Sequence, residues 1–251
     1  MTATIAPGAG VLGIPFKRLV RAEWDKATDT RAARWLFAAV AASTLGLMLV
    51  PLLAPSSIDQ TTSSYLGFAA LALSILLPVV AILLLTSEWS QRTALTTFTQ
   101  EPRRLRVVQA KASVSLLIGA GAAAFGALVT VAGLLSAAAS GRAVEADLGV
   151  AAVVGFVLFV LVNVLAGVAL GALLHSSAVA IAASFALPTA FASLGFAWKP
   201  AAQWLDSSTA FNRLLEGDWS GHLPQILAAV TLWVVVPLVV GVVRTVRRDI
   251  A

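Results

Sequence analysis

Six apolar stretches, each roughly 20 residues or longer and none interrupted by Asp, Glu, Lys or Arg, constrain this chain more than any other feature. They lie at 35–54, 66–86, 112–139, 148–174, 178–197 and 225–243. At a rise of about 1.5 Å per residue, each is long enough to cross a hydrocarbon layer of about 30 Å as a helix. An open strand at that depth would leave its edge N–H and C=O groups without partners, so the stretches are expected to be helical. Composition agrees. Hydrophobic residues make up 59% of the 251 and charged residues only 12%. A soluble domain carries about 25% charged residues, so a soluble fold of this length would lack the polar surface to cover its apolar one. The expectation is an all-α integral membrane protein with six transmembrane helices.

The 17 Lys and Arg set its orientation. Fourteen fall on one side of the six-helix pattern: Lys17, Arg18, Arg21, Lys26, Arg31, Arg34, Arg92, Arg103, Arg104, Arg106, Lys111, Arg244, Arg247 and Arg248. Three fall on the other: Arg142, Lys199 and Arg213. The cation-rich side of a membrane protein faces the cytoplasm, so both chain ends are expected inside. The net charge of +5 is thereby accounted for as an orientation signal and calls for no nucleic-acid partner.

Outside the spans, residues 1–15 contain no Lys or Arg and lack the charged start and apolar run of a signal peptide. They are expected to form a flexible tail. Residues 16–34 place Phe16, Leu19, Val20, Trp24 and Ala27 at helical spacing, with Arg18, Arg21 and other charges elsewhere around the helix. This is the pattern of an amphipathic helix lying at the membrane interface, serving either as a lipid anchor or also as a docking face. The connection between spans two and three holds Glu88 and Glu101 with five cations. A short exposed helix is expected over 88–98, and a new helix opening at Pro102. On its residues alone, this connection reads equally as a solvated basic loop or as a surface that a cytoplasmic protein touches. The outer connection, 198–224, mixes Trp198, Trp204, Phe211 and Trp219 with acidic residues and is expected to form short helices that re-enter the headgroup level. The turn 175–177 is so short that spans four and five must be antiparallel neighbours.

Small residues in spans three and four, including Gly167-x-x-x-Gly171, point to close helix packing. Pro78, Pro188 and Pro237 fall inside spans and are expected to kink them. Catalytic chemistry is scarce. There is no cysteine, no phosphate-binding Gly-x-x-x-x-Gly-Lys-Ser/Thr loop, no Gly-x-Ser-x-Gly elbow and no His-Glu-x-x-His pair. The most polar residue at depth is Asn163, read as an interhelical hydrogen-bonding group rather than a substrate contact. A chain of this kind acts passively or draws its energy from a partner.

The order Glu88-Trp89-x-x-x-Thr93, Glu101-Pro102-Arg103-Arg104 and Ala110-Lys111, with Leu170-Gly171-Ala172-Leu173-Leu174 before a very short turn and an ending of Trp233 through Arg247-Arg248-Asp249, resembles the permease subunits of ABC-2 type transporters. The likeness is to the form common among actinobacteria, in which permease and ATPase are separate chains. It runs over about 16–250. Arg92 stands where the family often has Gly.

The resemblance implies an exporter in a bacterial cell membrane that moves a drug, lipid or peptide outward. Two ATPase subunits would drive it and would themselves bind ATP and magnesium, with no cofactor, metal or catalytic residue in this chain. A second permease, identical or paralogous, would complete the pathway. Residues implied to contact the ATPase are Glu88, Trp89, Arg92, Phe98, Arg103, Arg104 and His175, with Phe16, Arg18, Arg21 and Trp24 on the interfacial helix. Spans one, two and five would line the pathway, with Phe68, Ser74, Ser184, Phe185 and Phe191 as candidate lining residues. The alternatives are a non-transporting membrane scaffold that recruits a cytoplasmic protein, and a membrane enzyme.

Overall fold

A computed structural model of the chain describes residues 14–91, 93–146 and 149–247. Most of the tail expected over 1–15, and Arg92 and Arg248, lie outside them. The described residues are mostly helical, in the order α1 (Phe16–Thr28), α2 (Arg31–Leu53), α3 (Thr62–Ser90), α4 (Ala94–Gln100), α5 (Arg104–Ala139), α6 (Val150–Leu174), α7 (Ser177–Ala197), α8 (Lys199–Leu205), α9 (Ser207–Leu215) and α10 (Leu223–Arg247). Among them there is no strand, only an isolated pairing of Thr61 with Glu145.

Helices α2, α3, α5, α6 and α10 are long and apolar enough to cross a membrane, and α7 carries a shorter apolar stretch, Ser177–Ser193. Five of the six expected crossings are therefore met on both length and apolar character. This is an all-α protein of multi-pass membrane type.

The helix ends differ from the expected ones for local reasons. The interfacial helix expected to reach Arg34 stops at Thr28, because Thr30 adopts an extended backbone and its hydroxyl accepts from the Ala33 N–H, capping α2 from Arg31 onward. The short helix expected over 88–98 is split. Glu88 and Trp89 complete α3, and the exposed helix is α4. Pro102 stands ahead of α5, whose first helical residue is Arg104. Both α3 and α5 run past the apolar stretches that predicted them.

The core is the contact of α3 with α6, flanked by α5, α2, α7 and α10. Its closeness rests on missing side chains. A Cβ placed on Gly167 would lie 2.6 Å from the Pro78 carbonyl oxygen, and one on Gly241 would lie 2.6 Å from the backbone of Ala172 and Leu173. Backbones meet there directly, which maximises dispersion contact where lipid offers no hydrophobic drive. In α10 a π-helical turn spans Thr231–Val235, immediately ahead of Pro237. Pro237 offers no N–H to the Trp233 carbonyl, and a widened turn is the usual accommodation of such a break.

Hydrogen bonds show which ends meet. At one end, the close of α3 joins the start of α7 through Thr86 and Ser177 hydroxyls 2.7 Å apart, and Arg104 of α5 donates to the Thr245 carbonyl of α10. At the other, the Thr62 N–H donates to the Glu145 carbonyl and Tyr65 donates to Gln60. The closes of α3 and α10 and the starts of α5 and α7 thus share one end, so α3 and α10 run opposite to α5 and α7.

Candidate functional site

The site begins with a helix that carries an acid on its buried face. Leu19 and Glu23 lie one turn apart on the side of α1 that packs against α5, and both are buried. Phe16 and Trp24, expected on the apolar face, remain 40% exposed, while Arg18 and Arg21 are exposed. Glu23, only 2% exposed, would be a costly group to bury alone. It is met by Lys111 in the second turn of α5, itself 2% exposed, whose Nζ lies 2.8 Å from Glu23 Oε2.

Lys111 uses its other donors on α3. It donates to the Leu84 carbonyl at 3.1 Å and to the Ser87 hydroxyl at 3.3 Å, and faces Glu88 Oε1 at 3.6 Å. Lys26, one turn along α1, pairs with Glu23 Oε1 at 2.6 Å and faces Glu88 Oε1 at 3.5 Å. Two carboxylates and two ammonium groups from three helices therefore form one knot. Burial alone would push the Glu23 carboxyl up. The charge and hydrogen bond of Lys111, joined by those of Lys26, overcome this and hold it below its ordinary value of 4.5. Burial would likewise pull the Lys26 ammonium down, but Glu23, with Glu88 nearby, holds it above its ordinary 10.5.

A second ionic link sits beside the knot. Glu101, buried between α4 and α5, pairs with Arg106 at 3.1 Å, and Arg106 also donates to the Ile14 carbonyl ahead of α1 at 2.7 Å. The connection between α3 and α5 is thereby fastened to the entry of α1. A third junction involves His175, which ends α6 in the left-handed region at φ 52°. Its Nε2 lies 2.7 Å from Thr245 Oγ1 of α10, and its ring meets Trp89 of α3 edge-on at 4.6 Å. The Thr245 hydroxyl also lies within hydrogen-bonding distance of the Gly241 carbonyl, at 2.9 Å.

The structure brings Glu88, Trp89, Arg104 and His175 to one end of the bundle. Glu88, expected on an exposed segment, is a correction in position: it is 5% exposed and turned toward Lys26 and Lys111 because it closes α3 on the side packed against α1 and α5. Arg103 is exposed at the head of α5. Arg92 and the side chain of Phe98 lie outside the described residues. Glu23 and Lys111 were legible in part. An acid one turn from Leu19 on an apolar stripe is a buried-acid signal, and Lys111 abuts an apolar run, but as sequence it counts only as one more cation.

Midway along the bundle a cavity of about 310 Å³ opens among α3, α6, α7, α9 and α10. Of the expected lining residues, Ser74, Ser184 and Phe185 border it, together with Phe159, Asn163 and Trp233. Phe68 does not, and Phe191 packs edge-on against Trp233 at 5.0 Å. Trp233 donates its indole N–H to the Leu205 carbonyl at 2.7 Å, fastening the bend between α8 and α9 to α10. Among the described residues no three His, Cys, Asp or Glu side chains converge as metal ligands. The chain matches no family model, and no curated protein matches it in sequence.

Proposed function

We propose that this chain is the membrane-spanning permease of an ABC-2 type exporter in a bacterial cell membrane, with six crossings, both ends in the cytoplasm, and ATP hydrolysis supplied by a separate ATPase. The observation that carries the reading is the buried ionic knot. It ties α1 to the close of α3 and the opening of α5, the segments that the resemblance assigns to ATPase contact. Exposed α4 lies between them. A push on α1 or α4 is thus transmitted to the ends of two long helices through charges that resist separation in a poorly hydrated setting.

In this reading Glu88 acts within the chain, as one carboxylate of the knot, while Arg103 and the exposed face of α4 meet the ATPase. Closure of the ATPase pair moves α4 and α1 together, tilts α3 and α5, and opens the pathway outward. α8 and α9 form the re-entrant outer gate, and the fourteen-to-three distribution of cations supports the assignment of the knot to the cytoplasmic side.

The test is affinity purification of the tagged chain from membranes, followed by ATP hydrolysis and outward transport assays in vesicles. A nucleotide-binding chain should copurify and hydrolyse ATP. Glu88→Gln should retain copurification while lowering transport per ATP hydrolysed. Stable copurification of a chain without hydrolysis would favour the recruiting scaffold, and failure of any ATPase to copurify would overturn the proposal.

A further inference from the structure

Helix α1 has a side that the ionic knot does not use. Leu19 and Glu23 turn to α5, and at about 100° per residue the positions across the helix from them are Lys17, Arg21, Trp24 and Thr28, one continuous stripe. Lys17, Arg21 and Trp24 are exposed. Phe16, also exposed, and partly buried Val20 fill the edge between that stripe and the buried face. Arg18 and Asp25 occupy the other edge. The helix thus shows an apolar edge, an outward stripe that joins a tryptophan to two cations, and a charged edge that carries the one exposed acid of α1.

The level of this stripe is set by what adjoins it. Only Asp29 and Thr30 separate α1 from α2, a helix long and apolar enough to cross a membrane. At its other end, α1 is tied to α5 where Arg106 donates to the Ile14 carbonyl. Trp35, 78% exposed in the second turn of α2, marks the level at which hydrocarbon gives way to headgroups, and Arg31 and Arg34 stand exposed in the turn ahead of it. From Ile14 to Trp35 the exposed cations are five, Lys17, Arg18, Arg21, Arg31 and Arg34, against the two exposed acids Asp25 and Asp29. Lys26 and Glu23 answer each other within the knot. An indole prefers the membrane interface, and cations find counter-charge there on anionic lipid. Such a lipid meets both needs of the stripe in one molecule, with an acyl chain for Phe16 and Trp24 and a phosphate for Lys17 and Arg21.

We propose that the outward stripe of α1, with Arg31 and Arg34 at the head of α2, holds anionic phospholipid of the adjoining leaflet. Lipid on this side and the knot on the other clamp α1 between them, so the charge of the bilayer sets how firmly α1 is held against α5. As a control on transport this rests on the permease reading, but lipid capture itself requires no ATPase.

The test places the purified chain in two bilayers of the same composition, phosphatidylcholine with a minority of phosphatidylglycerol. Bromine on the acyl chains, which quenches indole fluorescence on contact, is carried by the phosphatidylglycerol in one bilayer and by an equal mole fraction of phosphatidylcholine in the other. Subtracting the spectrum of Trp24→Phe isolates the Trp24 signal from those of the other tryptophans. The brominated phosphatidylglycerol should quench that signal as a lipid enriched at least about fivefold around Trp24, the worth of one cation at an anionic headgroup. Lys17→Gln combined with Arg21→Gln should cut the enrichment by at least about threefold. High salt should reduce it in the unaltered chain, which serves if the double variant folds poorly. Equal quenching by the two lipids, or an enrichment untouched by salt and by the substitutions, would overturn the proposal. So would quenching by neither, which would leave the stripe facing water and open to a protein partner. Since no ATPase is present, that failure would leave the copurification result standing, and a failed copurification would leave the lipid result standing.

Discussion

The Lys111 ammonium lies 2.8 Å from Glu23 Oε2, and both side chains are almost wholly closed off from the surface. The two residues are 88 positions apart in the chain. Their pairing decides how α1 sits on α5, and with Glu88 and Lys26 it joins three helices at a single point.

Removing one member leaves its partner as an uncompensated buried charge. Lys111→Met should destabilise the protein by about 3–5 kcal/mol, the usual cost of breaking a buried pair from one side. Glu23→Gln combined with Lys111→Met should recover much of that loss, because the buried acid and base leave together. Thermal unfolding of the purified protein, followed in a double-mutant cycle, checks this. Additive losses would mean that the two charges do not meet.

The pH response of α1 follows from the signs of the two shifts. Glu23 is held below its ordinary 4.5, so its contribution is complete above that value and lost as pH falls through the lower folded value. Lys26 is held above its ordinary 10.5, so its contribution is complete below that value and lost as pH rises through the higher one. Protease cleavage within α1 should be slow and constant between these limits and should accelerate in acid. Glu23→Gln should abolish the acid acceleration. The Lys26 side chain is half exposed, so the alkaline effect should be the smaller one.

Glycines that look alike in sequence should differ sharply on substitution. Gly241→Leu would drive a side chain into the backbone of Ala172 and Leu173, whereas nothing lies within 4 Å of a Cβ on Gly121. The first should cost about 1–3 kcal/mol or more and reduce the folded yield; the second should be close to neutral. Melting temperatures of the two variants in the same detergent settle the contrast.

Trp233→Phe keeps a ring against Phe191 but removes the donor to the Leu205 carbonyl. The expected loss is about 0.5–1.5 kcal/mol, the net worth of a single part-buried hydrogen bond. Hydrogen exchange should quicken in α8 and α9 while α3 and α6 keep their protection. Uniform quickening would show that the bond does not act locally.

The apolar stretches determined from the sequence alone that the chain is helical and of membrane type, because only a helix satisfies its backbone in lipid. The glycine spacing in span four likewise announced close packing, and Gly167 does meet Pro78 backbone to backbone. The short turn at 175–177 announced that α6 and α7 are neighbours, and they are in contact. Each of these is a property of one segment and its solvent. The partner of Glu23, the inward turn of Glu88 and the walls of the cavity were decided only by tertiary structure. Lys111 is in sequence one of 17 basic residues. Only the packing of α1 and α3 against α5 takes it out of water and surrounds it with carboxylates, and Coulomb energy depends on that separation and surrounding rather than on order along the chain.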